Sequence, residues 1–346
     1  MIENKRTRNA RSPDCCHART FNLGRRDRDR PGTPNKPPRR VDRSVDPATL
    51  ATVFRTSTPT NTESVAADPS GTRLYLTAPE NPGEGCCALY AMDLDTLHLT
   101  YLNFPVLRAT PSSSHVYMQR GNVGIESFDS YTLERRPTWK APGVYDLQPS
   151  PDGSRIFGVT NFPSPSLDLF DAAQEARIAS QPLPRNQPIA GVWVRERYYL
   201  FQAPGGRPSL RTVGLTDAAL GPAVPLVPAS GFPDCEPAPY SVIAAVSKVA
   251  IFAGFGGKSA GTCNLPGGYA LADPDTATVL GRFAPAMHFR QMVSSDDGVY
   301  VYGLDVGDNA WKTVRIVKLE AATGQLIAER TLEPDVWYLT SGTLAR

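Results

Sequence analysis

The chain has 346 residues, of which 41% are hydrophobic, and a formal net charge of +2. It is too long for one small domain and apolar enough for a large core. No run of 18 apolar residues occurs, so no membrane-spanning segment is predicted, and no apolar signal-peptide region is visible near the start. The 33 Pro and 28 Gly punctuate the chain every few residues, which is typical of many short strands and turns.

Residues 1–44 are basic and rich in Pro, with 13 Lys and Arg against 5 Asp and Glu, which leaves a balance of −6 on the remainder. We predict a disordered tail over 1–44, because its few apolar residues cannot offset the entropy of ordering. It is either solvated, or translated sequence upstream of the true start, or an arm for nucleic acid. The mildly acidic body does not favour a nucleic-acid-binding face.

From residue 45 onward one unit recurs. Its clearest copy begins at Pro151-Asp152-Gly153, a turn that leads into a strand, a loop, a second strand ending at Asp171, a turn and a third strand. Residues alternate in these strands with period two, and they are rich in β-branched and aromatic types. Near-copies occupy 64–104, 109–139, 149–178, 191–217, 240–283 and 290–332.

The repeat has a period of roughly 40–50 residues, which for four short strands is the signature of a β-propeller blade. We therefore predict an all-β fold, a β-propeller domain over 45–346, preceded by the tail. Six units are visible. We expect seven four-stranded blades, the seventh combining 335–342 with 50–56 so that the two chain ends meet, and six blades remain the alternative.

Several copies of the unit resemble the YVTN-type propeller repeat. They include PSPDGSRIFGV (149–159), DPSGTRLYLT (68–77), SSDDGVYVYGL (294–304) and KLEAATGQLIAER (318–330). Such repeats occur in surface-layer proteins, lactonase-like propellers and the propeller subunit of quinoprotein amine dehydrogenases. The resemblance covers about residues 50–340 and implies a fold, but this fold hosts enzymes and binding modules alike. The Trp-Asp and Gly-His dipeptides of WD40 blades are absent at blade spacing.

Two cysteines, Cys235 and Cys263, lie in loops before and within the fifth unit. Blade geometry could bring both to one face, so we predict a disulfide between them. Such a bridge would staple a Gly-rich loop and would indicate an oxidising, extracytoplasmic compartment, periplasmic or cell-surface. The alternative is a pair of free thiols in the cytosol. The adjacent Cys86 and Cys87 are interpreted as one partly buried thiol and its exposed neighbour rather than a vicinal bridge.

No catalytic, cofactor-binding or metal-binding residues are predicted. His288 stands before a strand and could face the axial channel, but a single His in that place is usually structural. Lactonase-type propellers place carboxylates, Asn or His around the axis, and the residues that could do so here are Glu63, Asp146, Glu236, Asp335 and Asn161. One sequence does not establish that they converge.

The sequence therefore favours a non-catalytic binding or scaffold module. Its loop-rich face would carry the segments 79–85, 161–166, 203–208 and 254–267, and its partner would be a protein or a small extracellular ligand. The alternative is a propeller enzyme or electron-transfer partner, either a lactonase-like hydrolase or an amine-dehydrogenase-like large subunit. Whether the protein is an enzyme stays open at this point, as does any cofactor.

Overall fold

The computed structural model describes residues 40–45, 52–58, 64–68, 70–79, 87–105, 109–120, 124–141, 143–160, 164–184, 189–202, 208–226, 242–255, 267–306 and 314–332. All 25 regular elements in these ranges are β-strands. The first two, β1 (Arg40–Val45) and β2 (Thr52–Thr58), pair with each other as a two-stranded antiparallel sheet. The other strands form six separate sheets, which we call blades 1 to 6.

Each blade is an antiparallel meander in which every strand pairs with the one before it in sequence. Blade 1 comprises β3 (Ser64–Ala67), β4 (Arg73–Pro79), β5 (Cys87–Asp93) and β6 (Leu99–Pro105). Blade 2 comprises β7 (Ala109–Pro111), β8 (His115–Arg120) and β9 (Gly124–Asp129). Single bridges from Phe128 to Arg135 and from Ile125 to Trp139 stand in place of its fourth strand.

The remaining four blades each have four strands. Blade 3 comprises β10 (Val144–Pro149), β11 (Arg155–Thr160), β12 (Ser166–Asp171) and β13 (Ala176–Pro182). Blade 4 comprises β14 (Ile189–Val194), β15 (Arg197–Gln202), β16 (Ser209–Val213) and β17 (Val224–Pro225). Blade 5 comprises β18 (Val242–Val246), β19 (Ile251–Phe255), β20 (Tyr269–Ala272) and β21 (Val279–Phe283). Blade 6 comprises β22 (Phe289–Ser294), β23 (Tyr300–Asp305), β24 (Val314–Glu320) and β25 (Leu326–Leu332).

The strand order gives every blade two distinct ends. The turns between first and second strands and between third and fourth strands lie at one end, which we call the turn face. The connections between second and third strands, and from one blade to the next, lie at the other end, which we call the loop face. This follows because consecutive strands run antiparallel in each sheet.

Side chains of Asp and Ser build the tight connections of the turn face. The Asp152 carboxylate accepts hydrogen bonds from Ser150 Oγ and from the backbone N–H of Ser154, while Gly153 adopts a φ of 74°. At the other turns, Asp93 and Asp171 each accept from two backbone N–H groups of the turn that follows. These amide hydrogen bonds lower the pKa of both carboxyls, as expected for an acceptor of backbone N–H bonds.

Apolar side chains fill the space between neighbouring blades. Phe157 of blade 3 stacks on Tyr198 of blade 4, with ring centroids 4.1 Å apart, and Leu200 is buried in the same cluster. Comparable clusters join blade 1 to 2, 2 to 3, 4 to 5 and 5 to 6. Burying each large side chain of this kind stabilises the fold by about 1.5–3 kcal/mol, so the core lies between the sheets and holds them as a stack.

Polar clamps at the turn face also join neighbouring blades. Arg73 and Tyr75 start β4, and both donate hydrogen bonds to the backbone carbonyl of Ser130 in blade 2, at 2.6 and 3.1 Å. Blade 4 repeats the arrangement, since Arg197 and Tyr199 both donate to the carbonyl of Pro274 in blade 5. An Arg-x-Tyr sequence at the start of a second strand thus holds the next blade's outer turn.

The all-β propeller architecture predicted from the repeat is confirmed, but the preferred number of seven blades is corrected to six for the described residues. The strand expected near 50–56 is present as β2, and it pairs with residues 40–45 of the same chain rather than with a described blade. The other half of the expected seventh blade, 335–342, lies outside the described residues. Strand β1 crosses the predicted limit of the tail at residue 44, and that division stays a prediction.

Candidate functional site

Most residues proposed from the sequence for a site or a disulfide lie outside the described residues, namely Cys235, Cys263, Cys86, Glu63, Glu236, Asp335 and Asn161. Two of the proposed axial residues are described. Asp146 lies within β10, and His288 immediately precedes β22. Asp146 is thus part of the first, innermost strand of blade 3, and His288 adjoins the first strand of blade 6.

The loop segments proposed as a binding surface share one position in the topology. The segments 79–85, 161–166, 203–208 and 254–267 begin at or just after the ends of β4, β11, β15 and β19, the second strands of four blades. Each leads to the third strand of the same blade. The ends of the flanking strands therefore all lie at the loop face, which makes this face the candidate functional surface.

Two innermost strands carry β-bulges close to the loop face. In β10 the pairing with β11 passes from Tyr145–Val159 directly to Gln148–Phe157, and in β22 the pairing with β23 passes from Phe289–Asp305 to Gln291–Leu304. The first strands of the other four blades pair without a register shift. Bulges of this kind commonly re-aim side chains near functional sites.

The bulge in blade 3 holds Asp146 in a left-handed conformation, with φ of 53°. Gln148 Nε2 donates to Asp146 Oδ1 at 3.3 Å, and the carbonyl of Gln148 accepts from Trp193 Nε1 of blade 4 at 2.9 Å. Gly158 lies opposite the bulge, where a Cβ atom would come within 2.5 Å of Val144 Cγ1. A glycine inside a strand is the sequence signal that could have indicated the bulge, although Gly254 shows the same signal without one.

His288 is buried, and its backbone makes two hydrogen bonds. Its N–H donates to Asp305 Oδ1 at 2.9 Å and its carbonyl accepts from Val306. Arg315 Nη2 donates to the other oxygen of Asp305 at 2.5 Å, while Arg315 Nη1 reaches Glu329 at 2.7 Å. The hydrogen bond to Asp305 raises the pKa of Arg315. This network ties the first strand of blade 6 to its outer strands.

In the described part of the chain, three fully buried carboxylates lie near the loop face, and the sequence analysis did not propose any of them as a site residue. They are Glu126, Asp168 and Asp305. Asp168 accepts from Thr160 Oγ1, from Ser180 Oγ at 2.6 Å and from Ser166 Oγ at 3.2 Å. Glu126 accepts from Arg135 at 2.9 Å and from Thr138 at 2.8 Å. A charged residue inside an otherwise apolar strand is the signal that could have found them.

The described part of the chain supplies cross-strand polar networks rather than an assembled metal centre. Among these residues no group of three or more His, Cys, Asp or Glu side chains is placed to hold a metal ion. The buried carboxylates bind hydroxyl groups and arginines of their own blades, so these contacts hold the second, third and outer strands together near the loop face.

Within the described ranges no helix is long and apolar enough to span a membrane.

Comparison with solved structures gives the same architecture. The chain has a β-propeller fold. Hydrazine synthase from Kuenenia stuttgartiensis superimposes with a TM-score of 0.60 at 13% identity, covering 81% of this chain and 89% of that chain. An oligogalacturonate lyase in complex with manganese gives 0.57 at 14% identity, with coverages of 84% and 83%. The Dos1 propeller gives 0.51 at 12% identity, with coverages of 78% and 71%.

No family model matches the sequence, and no curated protein matches it. At identities this low, the structural likeness establishes the fold alone, because propellers serve unrelated functions. The function has to be argued from this chain's own residues.

Proposed function

We propose that this protein is a binding or scaffold module that recognises a protein or a small extracellular ligand through its loop face. One observation carries the proposal: the four Pro- and Gly-rich segments noted in the sequence all connect second to third strands, so the strand ends that bear them share one face. Binding residues are commonly presented on loops held by a rigid scaffold. The turn face, by contrast, consists of short turns whose polar side chains cap their own backbone.

The proposal includes an extracytoplasmic location. Its support is the expected bridge between Cys235 and Cys263 together with the resemblance to the YVTN-type repeats of surface and lactonase-like propellers.

The basic residues of 1–44 provide a separate means of contacting nucleic acid. That contact would weaken steeply with salt and would disappear on deletion of 1–44.

Capture experiments with paired variants test the loop face. In one variant, Gly/Ser segments of equal length replace 161–163 and 203–207; in the control, Tyr131→Ser alters a turn-face side chain that is 87% exposed. Proteins retained from an extract of the native source are identified and quantified by mass spectrometry. We expect a specific partner to be retained by wild type and control but lost with the loop variant. Equal retention by all three would contradict the proposal.

The second candidate function is a propeller enzyme or electron-transfer partner, and the bulge at Asp146 favours it. Holding the backbone of an Asp at positive φ on an innermost strand costs about 1 kcal/mol in backbone strain. Such strain is concentrated at functional sites. The test incubates purified protein with a panel of lactones, and with primary amines plus an artificial electron acceptor. Turnover that disappears in Asp146→Asn would establish this candidate and overturn the non-catalytic proposal, whereas absence of turnover in both panels would count against it.

A further inference from the structure

At the interface between blades 3 and 4, two buried hydrogen-bond donors find no acceptor among the residues that the structure describes. The side chain of Gln202 is 3% exposed, and within this part of the chain neither its Nε2 nor the buried Nε of Arg211 has a partner. The guanidinium group uses Nη1 to donate to the carbonyl of Gly221 at 2.8 Å, and no carboxylate among the described residues pairs with it. Buried polar groups in folded proteins are almost always satisfied, so these two require an explanation.

The side chains of both donors project from the same side of the blade 4 sheet. Tyr198 and Leu200 pack in the cluster shared with blade 3, so Gln202, which follows at period two on β15, shares their side. On β16, Leu210 packs toward blade 5 whereas Val213 packs toward blade 3, which puts Arg211 on the blade 3 side as well. The two side chains therefore start from positions that face the same interface, near the loop face.

Blade 3 shows what these two positions do when an acceptor is present. Gln202 pairs with Ser209 and Leu200 with Arg211, just as Thr160 pairs with Ser166 and Gly158 with Asp168. Thr160 and Asp168 thus hold the register positions of Gln202 and Arg211, and their side chains are hydrogen-bonded directly. Diagonal positions of this kind are about 7–8 Å apart between backbones, within reach of the longer Gln and Arg side chains.

In blade 3 these two positions hold a hydroxyl donor, Thr160, and a carboxylate acceptor, Asp168. In blade 4 the same two positions hold two donors, Gln202 and Arg211. We propose that a carboxylate anion binds between Gln202 and Arg211, in the interface of blades 3 and 4, where it takes the part that Asp168 plays in blade 3. Arginine and amide N–H groups form strong, charge-assisted hydrogen bonds with carboxylates. The ligand is either a small free carboxylate or a carboxylate of a polypeptide. This proposal does not depend on the proposed function.

Thermal unfolding of the full chain tests the site. Sodium acetate is titrated while sodium chloride keeps the ionic strength constant. We expect a saturable rise of the midpoint with acetate, because a ligand that binds only the folded state stabilises it. In Gln202→Met we expect the dissociation constant for acetate to rise by about tenfold or more, which is the effect of losing a hydrogen bond to a charged group. In Arg211→Met we expect the acetate response to be lost.

Gln202→Glu is the decisive variant, because it places a carboxylate beside Arg211 within the chain. We expect a higher midpoint than wild type in chloride and no response to acetate. Arg177→Met is the matched control: this arginine has a carboxylate partner, Asp168, at 3.6 Å, and is 58% exposed, so the acetate response should be unchanged. A tripeptide with a free C-terminal carboxylate and its amidated form distinguish a polypeptide source from a free acid.

The proposal is overturned if wild type shows no saturable shift specific to acetate, as expected if an ordered water satisfies both donors. It is also overturned if Gln202→Glu responds to acetate as wild type does. These measurements need no loop-face partner, so they can fail while the proposed function stands.

Discussion

Replacing Tyr75 with Phe isolates one hydrogen bond of the clamp between blades 1 and 2. Tyr75 is 1% exposed, and its hydroxyl donates to the carbonyl of Ser130 at 3.1 Å. Phe keeps the packing and removes only the hydroxyl, and a hydrogen bond of this kind contributes about 0.5–1.5 kcal/mol net. Because Arg73 Nη1 still donates to the same carbonyl at 2.6 Å, the acceptor stays satisfied. We therefore expect a loss of about 0.5–1 kcal/mol in the free energy of unfolding.

Because Arg73 and Tyr75 donate to the same carbonyl, their effects on the free energy of unfolding should not be additive. In Arg73→Met the hydroxyl of Tyr75 still satisfies the carbonyl of Ser130, but in the double variant neither side chain does. The double variant should therefore lose more than the sum of the single variants, by about 0.5 kcal/mol or more.

Urea unfolding measures these free energies, with the fluorescence of Trp139, buried in blade 2, as one probe. The comparison requires equal m-values among the variants. Tyr131→Phe is the control, since that side chain is 87% exposed and its change should leave the midpoint unaltered. If Tyr75→Phe behaves like this control, or if the double variant is additive, the clamp does not contribute as the geometry implies.

Three further predictions concern other parts of the chain. Gly158→Ala should destabilise the fold by about 1–3 kcal/mol in urea unfolding, because the new Cβ would lie 2.5 Å from Val144 Cγ1 in a packed interface; an unchanged midpoint would mean that the bulge yields without cost. Burial, and then the nearby Arg136, lower the pKa of His115 below 6.5. The folded state therefore takes up its proton at lower pH than the unfolded state, so stability should fall as pH drops from 6.5 to the lowered pKa and level off below it. His115→Gln should flatten that slope, and an NMR titration of the ring should show the lowered pKa directly. Mass-spectrometric mapping of unreduced protein should find Cys235 linked to Cys263, and alkylation of both thiols in unreduced, unfolded protein would contradict the bridge.

Features that depend on a few consecutive residues were predictable from the sequence. Asp152-Gly153 and Asp171 stand at turns where the repeat placed them, because a carboxylate that accepts from the next backbone N–H groups, or a glycine with positive φ, fixes a turn locally. Alternation in Arg73–Pro79 likewise indicated a strand. The loop segments could be assigned to one face because each of them lies between the second and third strands of its unit.

The candidate site was less predictable. Asp146 was considered as a residue that could lie around the axis, but its bulge depends on β11, whose Gly158 leaves room for Val144 and Leu147. Asp168 was not singled out, because its partners come from three strands, at Thr160, Ser166 and Ser180. The partner of β2 was also missed, since Thr58 pairs with Arg40 in a stretch whose composition predicted disorder.

By itself, the sequence determined the β architecture, the repeat, the turns and the grouping of the loops, because strand alternation and turn chemistry act between near neighbours. Tertiary structure alone decided which blades clamp each other, which strands bulge and which donors are buried without acceptors. Tyr75 and Ser130 are 55 residues apart, and Trp193 meets Gln148 across 45 residues. Such contacts arise only when separate blades stack, because burial and hydrogen-bond satisfaction belong to the packed assembly rather than to any one unit.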